Sequence, residues 1–337
     1  MSSFDSWNEE DRRAFLQKAV PLTTISEVIL EKDYWVTWVL KRIFSLSEIS
    51  KHIIFKGGTS LSKAFGLIKR FSEDIDVSFD RHFLGFDESK DPQKAASNSK
   101  REQLLKDISL ASGKYVKEVL LPLLQTDFEK AGINGSWKLE IDPEEGQNIL
   151  FYYPRGLIRS HSEYITSYVK IEFGARSDPW PVEDKYVKSH LAELFPKEVA
   201  EEQKPKIKVL SVERTFWEKV TILHAEYHRP EGKVLPIRHS RHFYDLFEIL
   251  KSPYANSPSK SLLERVVAHK QIFFRSSWAN YSSATLGSLK LLPRKEQMPA
   301  LQEDYSKMKE MFFDEPVEFN KILESIGKFE ELFNSGK

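Results

Sequence analysis

The chain has 337 residues, of which 40% are hydrophobic, 30% charged and 12% aromatic, the balance of a globular protein with a sizeable core. It has no cysteine, which excludes disulfides, thiol nucleophiles and thiolate metal sites; its 50 basic and 50 acidic residues cancel, so any nucleic-acid contact must use a local patch. No apolar run approaches the roughly 20 residues of a bilayer span, and the first 20 residues are too charged for a signal peptide, which suits a cytoplasmic protein with no membrane partner.

In chain order, residues 8–46 read as helix, with Ile25, Val28, Ile29, Tyr34, Val36, Val39, Leu40 and Ile43 close to a 3.6 period. HIIF (52–55) reads as a strand, residues 81–101 as a polar loop, and residues 101–132 as an amphipathic helix interrupted near Pro122. Three segments rich in aromatic and β-branched residues follow as strands: SWKLEID (136–142), NILFYYP (148–154) and YITSYVKIEFGA (164–175). PKIKVLS (205–211) is a last strand or an extended lead-in. Residues 212–228 and 238–250 are helical, as is most of the chain from 258, with a break around 282–299. Helices, an α/β unit, helices, strands and helices again make an α+β protein, with one mixed sheet inside a helical shell. Residues 1–212 are expected to form the core with its N-terminal helices, and 213–337 a mostly helical region.

The stretch FKGGTSLSKAFGLIKRFSEDIDVSFD (55–80) carries the first candidate chemistry. Gly57 and Gly58 form a turn between strand and helix that lets backbone approach a ligand. Thr59 and Ser60 fall where the helix would start, able to cap it or donate to a phosphate at the positive end of the helix dipole. Lys63 and Arg70 lie one and three turns further along. Taken alone, this is also how an ordinary tight strand-to-helix turn is made. Asp74 and Asp76 then point to one face of a strand, about 6–7 Å apart, with Ile75 and Val77 turned into the core. Paired hard-oxygen carboxylates suit Mg²⁺, although a lone D-x-D also occurs at solvated strand ends. A phosphate cradle beside such a pair is what in-line attack on an α-phosphate requires.

Three later residues fit the same chemistry. Glu172 in SYVKIEFGA is a candidate third carboxylate, with Lys170 on its face; an ordinary half-exposed K-x-E pair is the alternative. Lys219 in ERTFWEKV lies off the apolar stripe and can reach a triphosphate or pair with a nearby acid. Asp245 in RHSRHFYDLFEIL either pairs with Arg241 four residues back, orients Lys219, or accepts a proton. Histidines 224, 228, 239 and 242 show no zinc-site spacing.

These residues resemble the AbiEii-type nucleotidyltransferase toxins, relatives of the MenT toxins. The likeness rests on EKDYWVTWVL (31–40), FKGGTSLSKAF (55–65), RFSEDIDVSF (70–79), KIEFG (170–174), ERTFWEKVTILH (213–224) and RHSRHFYDLFEI (238–249). The resemblance implies a polymerase-β-like nucleotidyltransferase core that transfers a nucleotide from an NTP with Mg²⁺, in some members to tRNA 3′ ends. It also implies a toxin with a cognate antitoxin encoded nearby, in systems that limit phage or growth. By position, Gly57, Gly58 and Ser60 match the nucleotide-binding turn, Asp74 and Asp76 the metal pair, Lys219 the lysine of the later helix, and Asp245 the aspartate of the last motif. One departure is His242, where the family often shows arginine or lysine. A protein-nucleotidylating transferase using the same metal site, and an NTP-sensing RNA-binding module without turnover, are the competing readings. Basic segments KSHLAELFPKE and KPKIKV are candidate grips for an RNA acceptor.

Overall fold

The structure, a computed structural model, describes residues 3–154, 165–199, 205–256 and 258–336. Tyr164, at the start of one expected strand, and Lys204 of KPKIKV lie outside them. The chain opens with two helices where the apolar period reads as one. Asn8 caps α1 (Glu9–Ala19) by accepting from the Asp11 amide, and Ser26 caps α2 (Glu27–Ser45) by accepting from the Ile29 amide. Between them Pro21, which has no amide hydrogen to donate, sits in a 3-10 turn. β1 (Ile53–Lys56), α3 (Gly57–Lys63) and β2 (Ile75–Phe79) follow.

The helix expected over 101–132 is α4 (Asn98–Tyr115), a π-helical turn (Val116–Leu120) and α5 (Leu121–Ala131). Pro122, at the start of α5, cannot donate back into the preceding turn, and the ladder widens there. β3 (Lys138–Ile141), β4 (Ile149–Tyr152) and β5 (Val169–Gly174) lie within the three expected strands. Two elements escape sequence patterning. β6 (Val182–Lys185) is polar at three of four positions and lies at the sheet edge, and α6 (His190–Leu194) is too short to show a period. β7 (Ile207–Leu210) makes PKIKVLS a strand. Helices α7 (Val212–Tyr227), α8 (Arg241–Leu250), α9 (Lys260–Phe273), α10 (Met298–Lys307) and α11 (Phe319–Ser335) complete the chain.

The chain divides into two compact units, one of Met1–Gly66 and Phe71–Leu210, the other of Leu67–Arg70 and Ser211–Lys337. The first holds a seven-stranded mixed sheet in the order β3-β4-β5-β2-β1-β7-β6. β2 runs parallel to β5 and β1 to β7, and the remaining pairs are antiparallel. Register assigns the faces. Phe151, Ile171, Val77, Phe55 and Val209 share one face and are all fully buried. Against it lies α2, with Trp35 and Trp38 at 5.8 and 6.0 Å from the Phe151 ring, and α5, with Phe128 at 5.1 Å. The opposite face therefore receives the alternate residues, among them Lys56, Asp76, Lys170 and Glu172.

In the second unit, Phe216 and Trp217 of α7 pack on Phe329 and Phe333 of α11. Its short segment Leu67–Arg70 is tied in by a bridge from Arg70 to Phe312 and by the Phe313 amide donating to the Lys69 carbonyl at 3.1 Å. Among the described residues no helix is long and apolar enough to cross a membrane.

Trp35 is fully buried between helix and sheet and also stacks on Tyr153. Trp35→Ala is expected to cost about 3–5 kcal/mol, read as a lowered urea midpoint; an unchanged midpoint would show that this helix–sheet contact does not hold the first unit together.

Candidate functional site

α3 starts at Gly57 itself, so Thr59 and Ser60 lie inside its first turn rather than capping it. Gly57 has φ +82, and a Cβ there would collide with the Asp76 carboxylate. The glycine thus leaves room for the aspartate that β2 places across from β1, a reason for its presence besides close approach of a ligand. Both hydroxyls, expected at a phosphate, are buried and turned inward. Thr59 Oγ1 lies 2.9 Å from Ser72 Oγ and donates to the Asp74 carbonyl, while Ser60 Oγ donates to the Gly57 carbonyl at 2.8 Å. Lys63, expected to reach a phosphate, forms a buried ion pair with Asp33.

On the polar face, Lys56, Asp76 and Glu172 stand opposite one another across β1, β2 and β5. Asp74 precedes β2 by one residue and, like Asp76, is half-buried. Lys56 meets Asp76 at 3.4 Å, and Lys170 meets Glu172 at 3.2 Å, Glu145 at 3.2 Å and Asp142 at 3.7 Å. Burial and then repulsion from Asp76 raise the Glu172 carboxyl above its ordinary range, against the pull of Lys170. Burial works against the Lys170 ammonium, yet Glu172 and Glu145 outweigh it and raise its pKa. Among the described residues no three His, Cys, Asp or Glu side chains are gathered as a ready metal cage. The donor set still fits Mg²⁺, which takes one or two carboxylates and fills its remaining positions with water and substrate phosphate. The Asp76–Glu172 repulsion is what a shared cation relieves.

Two charged residues that sequence reasoning left without a role lie on α2. Lys32 is fully buried and pairs with Glu73, and Asp33 pairs with Lys63 while its other oxygen accepts from the His190 amide at 2.7 Å. The signal was present in EKDYW: three consecutive charges inside a helix whose neighbouring positions are apolar. A solvated face would not carry Ile29, Leu30, Tyr34 and Trp35 around them.

In the second unit, Asp245 gathers the later candidates. Arg70 binds it through two nitrogens at 2.8 and 2.9 Å, and Lys219 at 2.7 Å, with Asp245 fully buried. Burial alone would raise the Asp245 carboxyl, but Arg70 and Lys219 overcome it and hold the group far below the ordinary range. A carboxylate held ionised in this way is a poor proton acceptor near neutral pH, and its geometry is that of an orienting group. Burial lowers the Lys219 ammonium despite this partner. His242, 3.4 Å from Lys219, is pushed well below its ordinary value by burial and by that cation. His224 is satisfied on both sides: Nδ1 accepts from the Lys290 amide at 3.1 Å, and Nε2 faces the Asn280 carbonyl and Ser283 Oγ.

Gly57→Ala is expected to displace the Asp76 carboxylate and to strain the turn, lowering nucleotide transfer more than the melting temperature. Equal activity in the variant would separate Gly57 from the site. Burial pushes His224 and His239 down to about 4. Their unfolded-state values lie near 6.5, so the unfolded chain binds protons that the folded one refuses. Stability is therefore expected to be level above pH 7 and to fall from pH 6.5 toward 4, with a shallower slope in His239→Gln; urea titrations across that range check it.

The family model for the nucleotidyl transferase AbiEii toxin of type IV toxin–antitoxin systems matches residues 38–325. No curated protein matches the chain. Among solved structures, it is similar to the nucleotidyltransferase toxin MenT4 of Mycobacterium tuberculosis H37Rv, at 14% identity over 91% of this chain and 90% of that one, with a TM-score of 0.40. It is also similar to JHP933 of Helicobacter pylori, at 14% identity over 92% of this chain and 98% of that one, with a TM-score of 0.37. The family match spans the sheet, the acidic row and the Asp245 cluster, and the chain belongs to the AbiEii family of nucleotidyltransferase toxins of type IV toxin–antitoxin systems.

Proposed function

We propose that this nucleotidyltransferase uses Mg²⁺ to transfer a nucleotide from an NTP to an RNA acceptor, a tRNA 3′ end, in the cytoplasm, and that this poisons growth or blocks phage. The observation that carries the reading is the row Lys56–Asp76–Glu172, in which Gly57 yields its Cβ space to the Asp76 carboxylate. Asp74 and Asp76 would hold the metal, with Glu172 as third carboxylate. When bound, Mg²⁺ supplies charge neutralisation at the triphosphate and acidity at the attacking hydroxyl. Lys56 and Lys170 offset part of the charge of the acidic row. Backbone at Gly57 and Gly58 is assigned to the phosphates. Thr59 and Ser60, whose hydroxyls bond inward, shape that turn, and Lys63 secures the helix behind it. Lys219 and Arg70 are assigned to nucleotide binding, with Asp245 fixing both head groups.

Purified protein with Mg²⁺ and each α-labelled NTP in turn is expected to label RNA, most of it of tRNA size. Asp76→Asn should lose at least about a hundredfold in rate and abolish growth inhibition, as expected for removal of a metal-holding carboxylate. Label in protein and none in RNA would replace the reading with protein nucleotidylation. Labelling and toxicity undiminished in Asp76→Asn would remove the acidic row from the chemistry.

A further inference from the structure

Lys32 has no part in the reading above, yet its ammonium occupies a singular place. It is fully buried at the apolar side of the sheet, and among the described residues its acceptors include Glu73 Oε2, the Thr166 carbonyl at 2.8 Å and Thr166 Oγ1 at 2.8 Å. Glu73 Oε2 in turn accepts from the Thr166 amide at 3.3 Å. Glu73 lies two residues before β2, and Thr166 three residues before β5. These are the parallel neighbours that set Asp76 opposite Glu172. Both strands therefore enter the sheet from one charged node. Glu73 directly precedes Asp74, so the side chain gripped at the node adjoins one of the two aspartates assigned to the metal.

A buried ion pair is seldom more stabilising than a well-packed apolar pair of the same size, so stability alone does not account for this one. What the node supplies is register. Parallel strands meet without a tight turn to fix their offset, and a shift of one residue exchanges the two faces. From this geometry we infer that Lys32 and Glu73 are positioning residues of the nucleotidyltransferase site, holding β2 and β5 so that Asp74, Asp76 and Glu172 present their carboxylates together. The inference rests on the reading of Asp74 and Asp76 as the metal pair.

The test uses the full chain as wild type, Glu73→Gln, the double variant Lys32→Met/Glu73→Met, and Asp74→Asn. Near-UV circular dichroism and thermal melts establish folding; the double variant, which removes both charges of the pair, and the near-isosteric Glu73→Gln guard against simple loss of fold. Mn²⁺ alone is titrated into each protein and the free ion read by electron paramagnetic resonance. Folded Glu73→Gln and double variants are expected to bind Mn²⁺ about 10–100-fold more weakly than wild type, the effect typical of groups that orient metal ligands. Their half-saturating Mg²⁺ for nucleotide transfer should rise in step, while the KM for NTP at saturating Mg²⁺ holds. A folded variant with wild-type Mn²⁺ affinity overturns the positioning role, provided Asp74→Asn has lost binding. Binding that is absent in wild type, or equal in wild type and Asp74→Asn, overturns the metal reading itself and the inference with it.

Discussion

A strand exposes its side chains alternately to two faces, and in this sheet one of those faces is completely committed. Phe151, Ile171, Val77, Phe55 and Val209, on five strands, share that face and are fully buried, and Trp35, Trp38 and Phe128 pack on Phe151. Burying these side chains is the main favourable contribution to the first unit, and it leaves their neighbours in sequence no other place than the opposite face. Lys56, Asp76, Lys170 and Glu172 are grouped because the core residues between them are grouped. The acidic row is a consequence of the hydrophobic effect acting through a period of two.

Charge is then handled differently in each unit. On the polar face of the sheet, carboxylates and lysines are half-exposed and interleaved, Lys170 alone reaching three acids. Such an arrangement tolerates rearrangement, because water compensates any group that loses a partner. In the helical unit, Asp245 is fully buried between Arg70 and Lys219, and a group there that loses its partner has no water to turn to. The first pattern suits groups that exchange partners when a ligand arrives. The second suits a fixed anchor, with Arg70 and Lys219 holding the Asp245 carboxylate ionised.

Local pattern alone carried much of the fold. The strands at 53–56, 75–79, 138–141, 149–152 and 169–174 are visible as short runs rich in aromatic and β-branched residues that alternate in places, and the α+β order follows from them. Edge strand β6 was invisible because three of its four residues are polar, and the helix over 8–46 read as continuous because an apolar period does not register Pro21 and the Ser26 cap. Site candidates divide in the same way. Asp76 and Glu172 follow from strand geometry, with Val77 and Ile171 buried behind them. Thr59, Ser60 and Lys63 looked free to meet a phosphate, and the structure turns all three toward protein partners.

By itself, then, the sequence determined which side chains share a face, because that depends only on chain periodicity and on burying the apolar half. It also marked the strand–glycine–helix–strand order that brings the D-x-D pair beside a turn. Only the tertiary structure decided which charge meets which. Lys32 finds Glu73 and Thr166, Asp33 finds Lys63, and Arg70 and Lys219 both find Asp245, across separations of 26 to 175 residues where no local spacing exists to be read. The parallel offset of β2 and β5 belongs to the same class. No turn joins those strands, so their register is set by packing and by a buried ammonium, which are properties of the folded chain alone.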